Sequence, residues 1–319
     1  MLNRIDLTGW WQIKFDARDE GTQLGWAQQP PADGTPINVP SCWNNVFPDH
    51  HTYDGTAWYF KQIFLRADDL SERVILCFEG VNYRCEVFVN GERIGEHEGG
   101  FTFFEFDITR ALRPNAINYF TIRVNAEHDA WTIPPKGVDW FNYNGIYRPV
   151  YLAITRAAWL DDYTIKTHVD GRVSIDVVIG DPSDAQTLSA KIFDALGAPI
   201  VEQAVPLAAQ TMARMNVVIA NPRLWNVGDA YLYTLELELK DTQGRACDRI
   251  EKKFGIREFA VAGQKVLVNG KPVHLVGCSK HDEYPLTGRT VTREQLIADY
   301  NLYRRMNANF VRLCHYPHN

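Results

Sequence analysis

The sequence predicts a mainly β chain: a jelly-roll β-sandwich, then an immunoglobulin-like β-sandwich, then the first βαβ unit of a (β/α)8 barrel. The first prediction rests on short runs of alternating apolar and polar residues, separated by turn residues, from Trp10 to about Arg156. A similar stretch begins near Ala157 and supports the second. The third rests on a strand, a capped helix and a second strand between Val273 and Asn319. The predicted domains are 1–156, 157–255 and 256–319.

In the first segment the alternation places apolar side chains on one face of each strand. The Asn90-Gly91 pair follows one such run and favours a tight hairpin turn with positive φ. Helix signals are absent here, and many short strands without helices are typical of a jelly roll. The alternating sets are Trp11/Ile13/Phe15, Val74/Leu76/Phe78, Cys85/Val87/Val89 and Phe120/Ile122/Val124.

An irregular stretch, 131–145, interrupts this pattern near its end. Its prolines and glycines oppose regular strand pairing, and it is rich in aromatic and polar residues. A long aromatic loop on a rigid sandwich is a usual place for ligand contacts. The structural alternative is that Trp140 and Phe141 cap the sandwich core while Asp139 closes a turn.

The second segment has the same two-residue period. Val173, Ile175, Val177 and Ile179 lie on one predicted face, and the segment 235–240 alternates Leu with charged residues. The inter-sheet cysteine pair of antibody domains is missing, so the pattern indicates an immunoglobulin-like architecture without an antibody relationship.

The third segment predicts a hairpin and then the start of a parallel barrel. Val273–Gly277 is predicted as a buried strand, Thr292 and Gln295 as the capping box of a helix, and Asn309–Leu313 as a second buried strand. His281 follows the first of these strands and His315 the second. Polar residues just past the carboxyl ends of barrel strands line the active site in this architecture.

Composition excludes several classes of protein. The chain has 319 residues, a formal charge of -6 and no cluster of Lys or Arg, which argues against a nucleic-acid partner. The longest apolar runs have the length of strands, so no membrane span is predicted, and Met1–Asp6 shows no secretory signal. Six cysteines without a Cys-x-x-Cys pair favour reduced thiols in a cytoplasmic protein over disulfides or a zinc site.

The order of several motifs resembles the glycoside hydrolase family that contains β-galactosidases and β-glucuronidases, often called family 2. The resemblance runs through nearly the whole chain. Its most specific pieces are Val87-Phe88-Val89-Asn90-Gly91, Glu96-His97-Glu98-Gly99-Gly100-Phe101 and Phe141-Asn142-Tyr143-Asn144-Gly145-Ile146-Tyr147-Arg148-Pro149-Val150. Further on, Ser279-Lys280-His281-Asp282-Glu283 and Asn307-Ala308-Asn309-Phe310-Val311-Arg312-Leu313-Cys314-His315-Tyr316-Pro317 look like the first two barrel strands of the family. Within the family, the segments 97–101, 132–135 and 139–143 look more like β-glucuronidases. Ser279 and Cys314 depart from the family pattern, which usually has Asn and Ser there.

The resemblance implies a retaining exo-β-glycosidase that hydrolyses terminal β-linked sugars, β-glucuronidase-like, with a β-galactosidase as the alternative. It implies that Asp139, His281 and His315 contact the sugar. Asp282 and Glu283, beside His281, are expected to hold the loop or to hydrate its surface. A carboxylate can accept two hydroxyl hydrogen bonds and so orient a sugar ring. An alternative of another class is a non-catalytic carbohydrate-binding or assembly module.

The same resemblance implies that the catalytic residues are not among these 319. A retaining glycosidase needs two carboxyl groups, and the family places them after later barrel strands. A whole barrel takes about 250 residues, far more than follow Gly255, so we expect both glutamates beyond Asn319 and an inactive chain. No organic cofactor is implied. Some β-galactosidases of the family use Mg²⁺ and Na⁺, with the position matching Asp139 near the sodium, and a homo-oligomer is expected for the parent enzyme.

Overall fold

The computed structural model describes residues 3–70 and 72–318, and it is built mainly from short strands. The chain divides into two compact units, one of Met1–Asn3, Thr155–Cys278 and Tyr303–Phe310, the other of Arg4–Ile154, Ser279–Leu302 and Val311–Asn319. No helix in the described part of the chain combines the length and apolar character that crossing a bilayer requires. The predicted fold class is confirmed, whereas the three domain boundaries remain a prediction.

The first sandwich has two main sheets. One is four-stranded in the order β1-β12-β5-β9 and the other six-stranded in the order β3-β2-β4-β10-β7-β8, while β11 pairs with β6. The strands are β1 Asn3–Asp6, β2 Gly9–Asp16, β3 Thr35–Val39, β4 Thr56–Leu65, β5 Arg73–Phe78, β6 Val81–Asn82, β7 Arg84–Val89, β8 Glu92–Glu98, β9 Phe104–Asp107, β10 Ala116–Asn125, β11 Gly145–Ile146 and β12 Val150–Thr155. A one-turn helix, α1, spans Trp43–Val46, and 3-10 turns span Pro48–His50, Ala67–Asp69 and Thr109–Ala111.

One apolar core joins the two main sheets, as the alternation predicted. Ile13 from one sheet and Leu76 from the other belong to the same buried cluster, and Trp11, Trp43 and Tyr59 are almost fully buried in it. Burial of about 25 cal/mol per Å² of apolar surface makes such large aromatic side chains major contributors to stability. The short helix α1 is a departure from the predicted absence of helix, and it buries Trp43.

The predicted hairpin turns form in both units. Asn90 and Gly91 have φ of 53° and 83° between β7 and β8. In the other unit Asn269 and Gly270 have φ of 51° and 75°. Positive φ at both central residues matches the twist of the flanking strands.

The second sandwich also has two sheets around one core. Its sheets have the orders β13-β14-β17 and β16-β15-β18-β19. The predicted inward residues Val173, Ile175, Val177 and Ile179 are all buried in that core. The strands are β13 Trp159–Thr167, β14 Arg172–Gly180, β15 Ala185–Phe193, β16 Pro199–Pro206, β17 Met212–Val218, β18 Tyr233–Asp241 and β19 Ala246–Phe254.

The C-terminal segment differs from the prediction in register and burial. Its elements are β20 Phe259–Ala262, β21 Lys265–Val268, β22 Lys271–Val273, β23 Gly277–Lys280, α2 Arg293–Arg305 and β24 Phe310–Leu313. The prediction of a strand at Val273–Gly277 is wrong: its central residues, 274–276, lie between β22 and β23 and are exposed. The side chain of Asn309 holds these residues in place. Its Oδ1 accepts a hydrogen bond from the amide of Val276, and its Nδ2 donates one to the carbonyl of His274.

The two barrel-type strands pair but are not buried. Backbone amides of Asn309 and Phe310 donate to Val276, and that of Cys314 donates to Lys280, so β23 and β24 run parallel. Most side chains of β23 and β24 are exposed, and α2 has no buried residue. The predicted burial is wrong because β23 and β24 form a sheet of only two strands in the described part of the chain, with no flanking strand to cover them.

Candidate functional site

The two predicted histidines lie side by side, and Trp140 from the sandwich loop lies against both. The rings of His281 and His315 are edge to face, with centroids 5.3 Å apart. Trp140 stacks on His315 at 5.4 Å and meets His281 edge-on at 5.9 Å. The loop therefore reaches the carboxyl ends of β23 and β24, within a single compact unit.

Asp139 precedes this tryptophan and is exposed. Its side chain makes no hydrogen bond or ion pair with the other residues that the structure describes, so its carboxylate is available to a ligand. The indole nitrogen Nε1 of Trp140 is buried and has no hydrogen-bond partner within the described ranges. An unpaired buried donor is costly, which sets this N–H apart from the paired polar groups around it.

The irregular stretch predicted at 131–145 contains no strand up to residue 144, its last residue begins β11, and side chains of the sandwich tie the stretch down. Asn82 Nδ2 donates to the carbonyl of Tyr143 and to Oδ1 of Asn144, at 3.0 and 2.8 Å. The amide of Asn144 donates to Oδ1 of Asn44 at 2.7 Å. The irregular backbone thus obtains from buried amide side chains the hydrogen bonds that a sheet would supply.

Phe141 and Trp140, adjacent in sequence, pack in different places. Phe141 stacks on His51 at 5.0 Å, and Trp140 packs on the barrel-type histidines. Neither ring is part of the sandwich core. The interpretation in which both aromatic residues cap that core is therefore wrong.

Below the histidines lies a hydrogen-bonded group centred on Glu283. Its Oε1 accepts from the hydroxyl of Tyr316 at 3.0 Å and from Nη2 of Arg289 at 3.2 Å. Nδ1 of His281 lies 3.6 Å from the same oxygen. Burial raises the pKa of Tyr316, and the negative charge of Glu283 adds to the effect against the opposing charge of Arg289. Tyr316 therefore stays protonated and donates to the carboxylate.

Arg289 is a site residue that sequence reasoning missed. It is 2% exposed, lies over the ring of Tyr316 at 4.4 Å and that of Phe101 at 4.9 Å, and donates to the carbonyl of Phe141 at 3.1 Å. Stacking on aromatic faces suits a guanidinium whose other nitrogens lack partners. No motif around Arg289 signals this role, because its partners come from three separate parts of the chain.

A buried charge cluster fixes the turn that carries His281. Lys280 Nζ lies 2.6 Å from Asp282 and 3.2 Å from Asp299, and His318 Nδ1 lies 3.1 Å from the other oxygen of Asp282. Burial alone would lower the pKa of Lys280, but the two carboxylates outweigh it and the pKa is raised. Asp282 and Glu283 both hold this turn in place, as expected.

One group of potential metal ligands occurs in the described part of the chain. A ring nitrogen of His281, the sulfur of Cys314 and a ring nitrogen of His315 lie within 4.8 Å of one another. Asp139 belongs to no such group. Nitrogen and sulfur donors do not suit Mg²⁺ or Na⁺, which take oxygen ligands, so this group is not a site for those ions.

Two cavities lie away from the histidines. One of about 630 Å³ lies on the six-stranded sheet, where Trp10, Lys61 and Tyr119 are among its lining residues. The other, of about 170 Å³, is lined by the opposite part of the loop, including Lys136 and Asn142. None of Asp139, His281 and His315 lines either cavity.

Comparison with known protein families covers nearly the whole chain. Residues 5–156 match the domain described as "Glycosyl hydrolases family 2, sugar binding domain" and residues 158–257 match "Glycosyl hydrolases family 2". Residues 259–319 match "Glycosyl hydrolases family 2, TIM barrel domain". The chain belongs to glycosyl hydrolases family 2. The resemblance stated from the sequence motifs is thereby confirmed.

Similar proteins of this family are β-glucuronidases. One from Paenibacillus borealis is 31% identical over 98% of this chain and 55% of its own length, and one from Sus scrofa is 30% identical over 99% and 54%. Among solved structures, the crystal structure of Ruminococcus gnavus β-glucuronidase has a TM-score of 0.88 at 28% identity, covering 99% of this chain and 55% of that chain. A complex of that enzyme with D-glucuronic acid has a TM-score of 0.87. The chain thus spans about half the length of the relatives it matches.

Proposed function

We propose that these residues form the sugar-positioning part of a retaining exo-β-glycosidase of β-glucuronidase type. The observation that carries the proposal is the meeting of the Asp139–Trp140 loop with His281 and His315. The likeness to β-glucuronidases over nearly the whole chain supports the choice of glucuronide over galactoside.

Each group has a role that its chemistry permits. The carboxylate of Asp139 accepts hydrogen bonds from two neighbouring sugar hydroxyls and so orients the ring. His281 and His315 supply further donors or acceptors beside it. Trp140 is half-buried and offers aromatic ring surface to the apolar side of the sugar.

The carboxylates beside the histidines are poorly suited to bond cleavage. Asp282 is paired with Lys280, and Glu283 is bonded to Arg289 and Tyr316. Retaining hydrolysis requires a nucleophile and an acid/base about 5 to 5.5 Å apart. We propose that both glutamates come from residues beyond Asn319, and that the 319-residue chain binds sugar without hydrolysing it.

Binding and turnover are tested separately. Isothermal titration of the 319-residue chain with D-glucuronic acid and with D-galactose should show preferential binding of the uronic acid. The product of the complete reading frame should hydrolyse p-nitrophenyl β-D-glucuronide faster than the galactoside, with retention by proton NMR. Sugar binding without turnover by that longer product would instead indicate a carbohydrate-binding module.

The proposal extends to organisation and surroundings. We propose three domains at 1–156, 157–255 and 256–319, a homo-oligomeric parent enzyme, no organic cofactor, and a cytoplasmic location. None of the six cysteines is in a disulfide and five of them are buried, which supports a reducing compartment. Limited proteolysis tests the domain boundaries, and light scattering tests the oligomeric state. Thiol counting on protein isolated from cells tests the reducing compartment.

A further inference from the structure

We infer that His281, Cys314 and His315 form a binding site for a thiophilic divalent cation such as Zn²⁺. Their three donor atoms lie within 4.8 Å of one another, although two of the residues are separated from the third by more than thirty positions. Two imidazoles and a thiolate are a donor set that Zn²⁺ accepts in proteins, with a fourth position left for water.

The donors are free to bind. The ring of His315 makes no hydrogen bond with the described residues, and the residue is exposed. Nδ1 of His281 faces the carboxylate of Glu283 at 3.6 Å, which leaves Nε2 for a metal. A carboxylate behind the non-ligating nitrogen is the arrangement that orients metal-bound histidines.

Cys314 supplies the sulfur and needs only a small adjustment. Its Sγ–H donates to the carbonyl of Lys280 at 3.6 Å, a long contact that costs little to lose. On binding, the thiol proton passes to solvent and the sulfur bonds to the metal. The residue is buried, so the cation reaches it from the side of the exposed His315.

The three donor atoms need to move only slightly closer together to reach metal-binding distances. With Zn–N of about 2.0 Å and Zn–S of about 2.3 Å, tetrahedral ligands stand about 3.3 to 3.6 Å apart. Rotation of the His315 side chain covers most of the difference, because its ring is held by ring contacts with Trp140 and His281 and by no hydrogen bond to the described residues. The donor set favours Zn²⁺ or Cu over Mg²⁺ and Ca²⁺, which require oxygen ligands.

A bound cation would occupy the imidazoles that the proposed function assigns to the sugar. If that assignment is correct, cation and sugar exclude each other, and the cation inhibits the enzyme. This consequence rests on the proposed function, whereas the metal site itself does not. The two statements therefore have separate readouts.

Titration of the full 319-residue chain with Co²⁺, a spectroscopic substitute for Zn²⁺, tests the site. The expected result is one equivalent bound, with a sulfur-to-cobalt charge-transfer band in the near ultraviolet and the strong visible bands of tetrahedral cobalt. Cys314→Ser should abolish the charge-transfer band and weaken binding by at least about 100-fold. The matched control is Cys278→Ser, which removes the exposed thiol of β23 and should leave the spectrum unchanged.

A second variant distinguishes the loss of a metal ligand from the loss of the folded structure. His315→Asn changes an exposed ring, so circular dichroism should be unchanged while Co²⁺ affinity falls by about tenfold or more. A charge-transfer band that persists in Cys314→Ser, or disappears in Cys278→Ser, would overturn the site. Displacement of Co²⁺ by D-glucuronic acid supports mutual exclusion; a cobalt spectrum indifferent to the sugar keeps the metal site and contradicts the sugar role of the histidines.

Discussion

The indole of Trp140 lies on the imidazole of His315, with ring centroids 5.4 Å apart and planes inclined by 23°. One ring belongs to an irregular loop of the first sandwich and the other follows the last strand of the chain. The stack therefore joins two segments that sequence reasoning assigned to different domains. Both Trp140 and Asp139 are therefore loop residues whose substitution we expect to affect sugar binding.

Replacing Trp140 with Ala should weaken D-glucuronic acid binding by about tenfold or more, because the aromatic surface beside His281 and His315 is lost. Stability should change little, since the ring is outside the sandwich core. Trp131→Ala is the control, because Trp131 is in the same loop and is 91% exposed. Isothermal titration gives the affinities, and equal losses in both variants would contradict the assignment.

Asp139→Ala should lower sugar affinity and, in the product of the complete reading frame, reduce kcat/KM, since the carboxylate contacts hydroxyls in both ground and transition states. Asp49→Ala, at another exposed aspartate of the same unit, should have no effect. An unchanged kcat/KM in Asp139→Ala would remove this residue from the site.

Arg289→Ala should destabilise the unit by about 2 to 4 kcal/mol, because it leaves a cavity between aromatic rings and removes the cationic partner of Glu283. Glu283 still accepts a hydrogen bond from Tyr316 in this variant. The loss of stability should therefore be smaller than for a buried charge without any partner. The exposed Arg293 gives the control variant Arg293→Ala. Urea unfolding followed by tryptophan fluorescence measures both, and a loss below 1 kcal/mol would argue against the packing described.

Acidification should destabilise the loop through His128. Burial lowers its pKa from 6.5, and its Nδ1 lies 3.0 Å from the carbonyl of Pro134. Because the folded pKa is the lower one, the stabilising contribution is full above the unfolded value and is lost as pH falls through the folded value. His128→Gln should flatten this dependence of the urea midpoint, whereas His274→Gln, at an exposed histidine, should not.

His97 also contributes to the dependence of the urea midpoint on pH, so part of that dependence remains in His128→Gln. Its pKa is also lowered by burial, so its contribution to stability has the same sign and remains in the variant. A pH profile of His128→Gln identical to that of the unmodified chain would contradict the role of His128.

Thr292→Ala should destabilise helix α2 by about 1 kcal/mol. The amide of Thr292 donates to Oε1 of Gln295 at 2.8 Å, and Oγ1 of Thr292 accepts from the amide of Gln295 at 3.3 Å. Hydrogen exchange of the amides of the first helical turn should accelerate about fivefold, as that free energy requires. Thr242→Ala, in an exposed turn, is the control and should leave these amides unchanged.

Features that depend on neighbours in sequence were predictable. The Asn90-Gly91 turn, the capping box at Thr292 and the inward face of β14 all appear as expected, since each needs only local hydrogen bonds or a two-residue period. The strand predicted at Val273–Gly277 fails because an apolar run specifies burial only when other elements cover it.

The sequence by itself determined the order of two sandwiches and a barrel-type unit, the family, and three candidate sugar contacts. Tertiary structure alone decided that Trp140 lies on His315, that Arg289 is buried against Tyr316, and that Cys314 stands beside two histidines. Periodicity states which face of an element is apolar, but it carries no information on which distant side chains meet. Those meetings depend on loop paths and on packing between segments that are separated in the sequence, by more than a hundred residues in the case of Trp140 and His315.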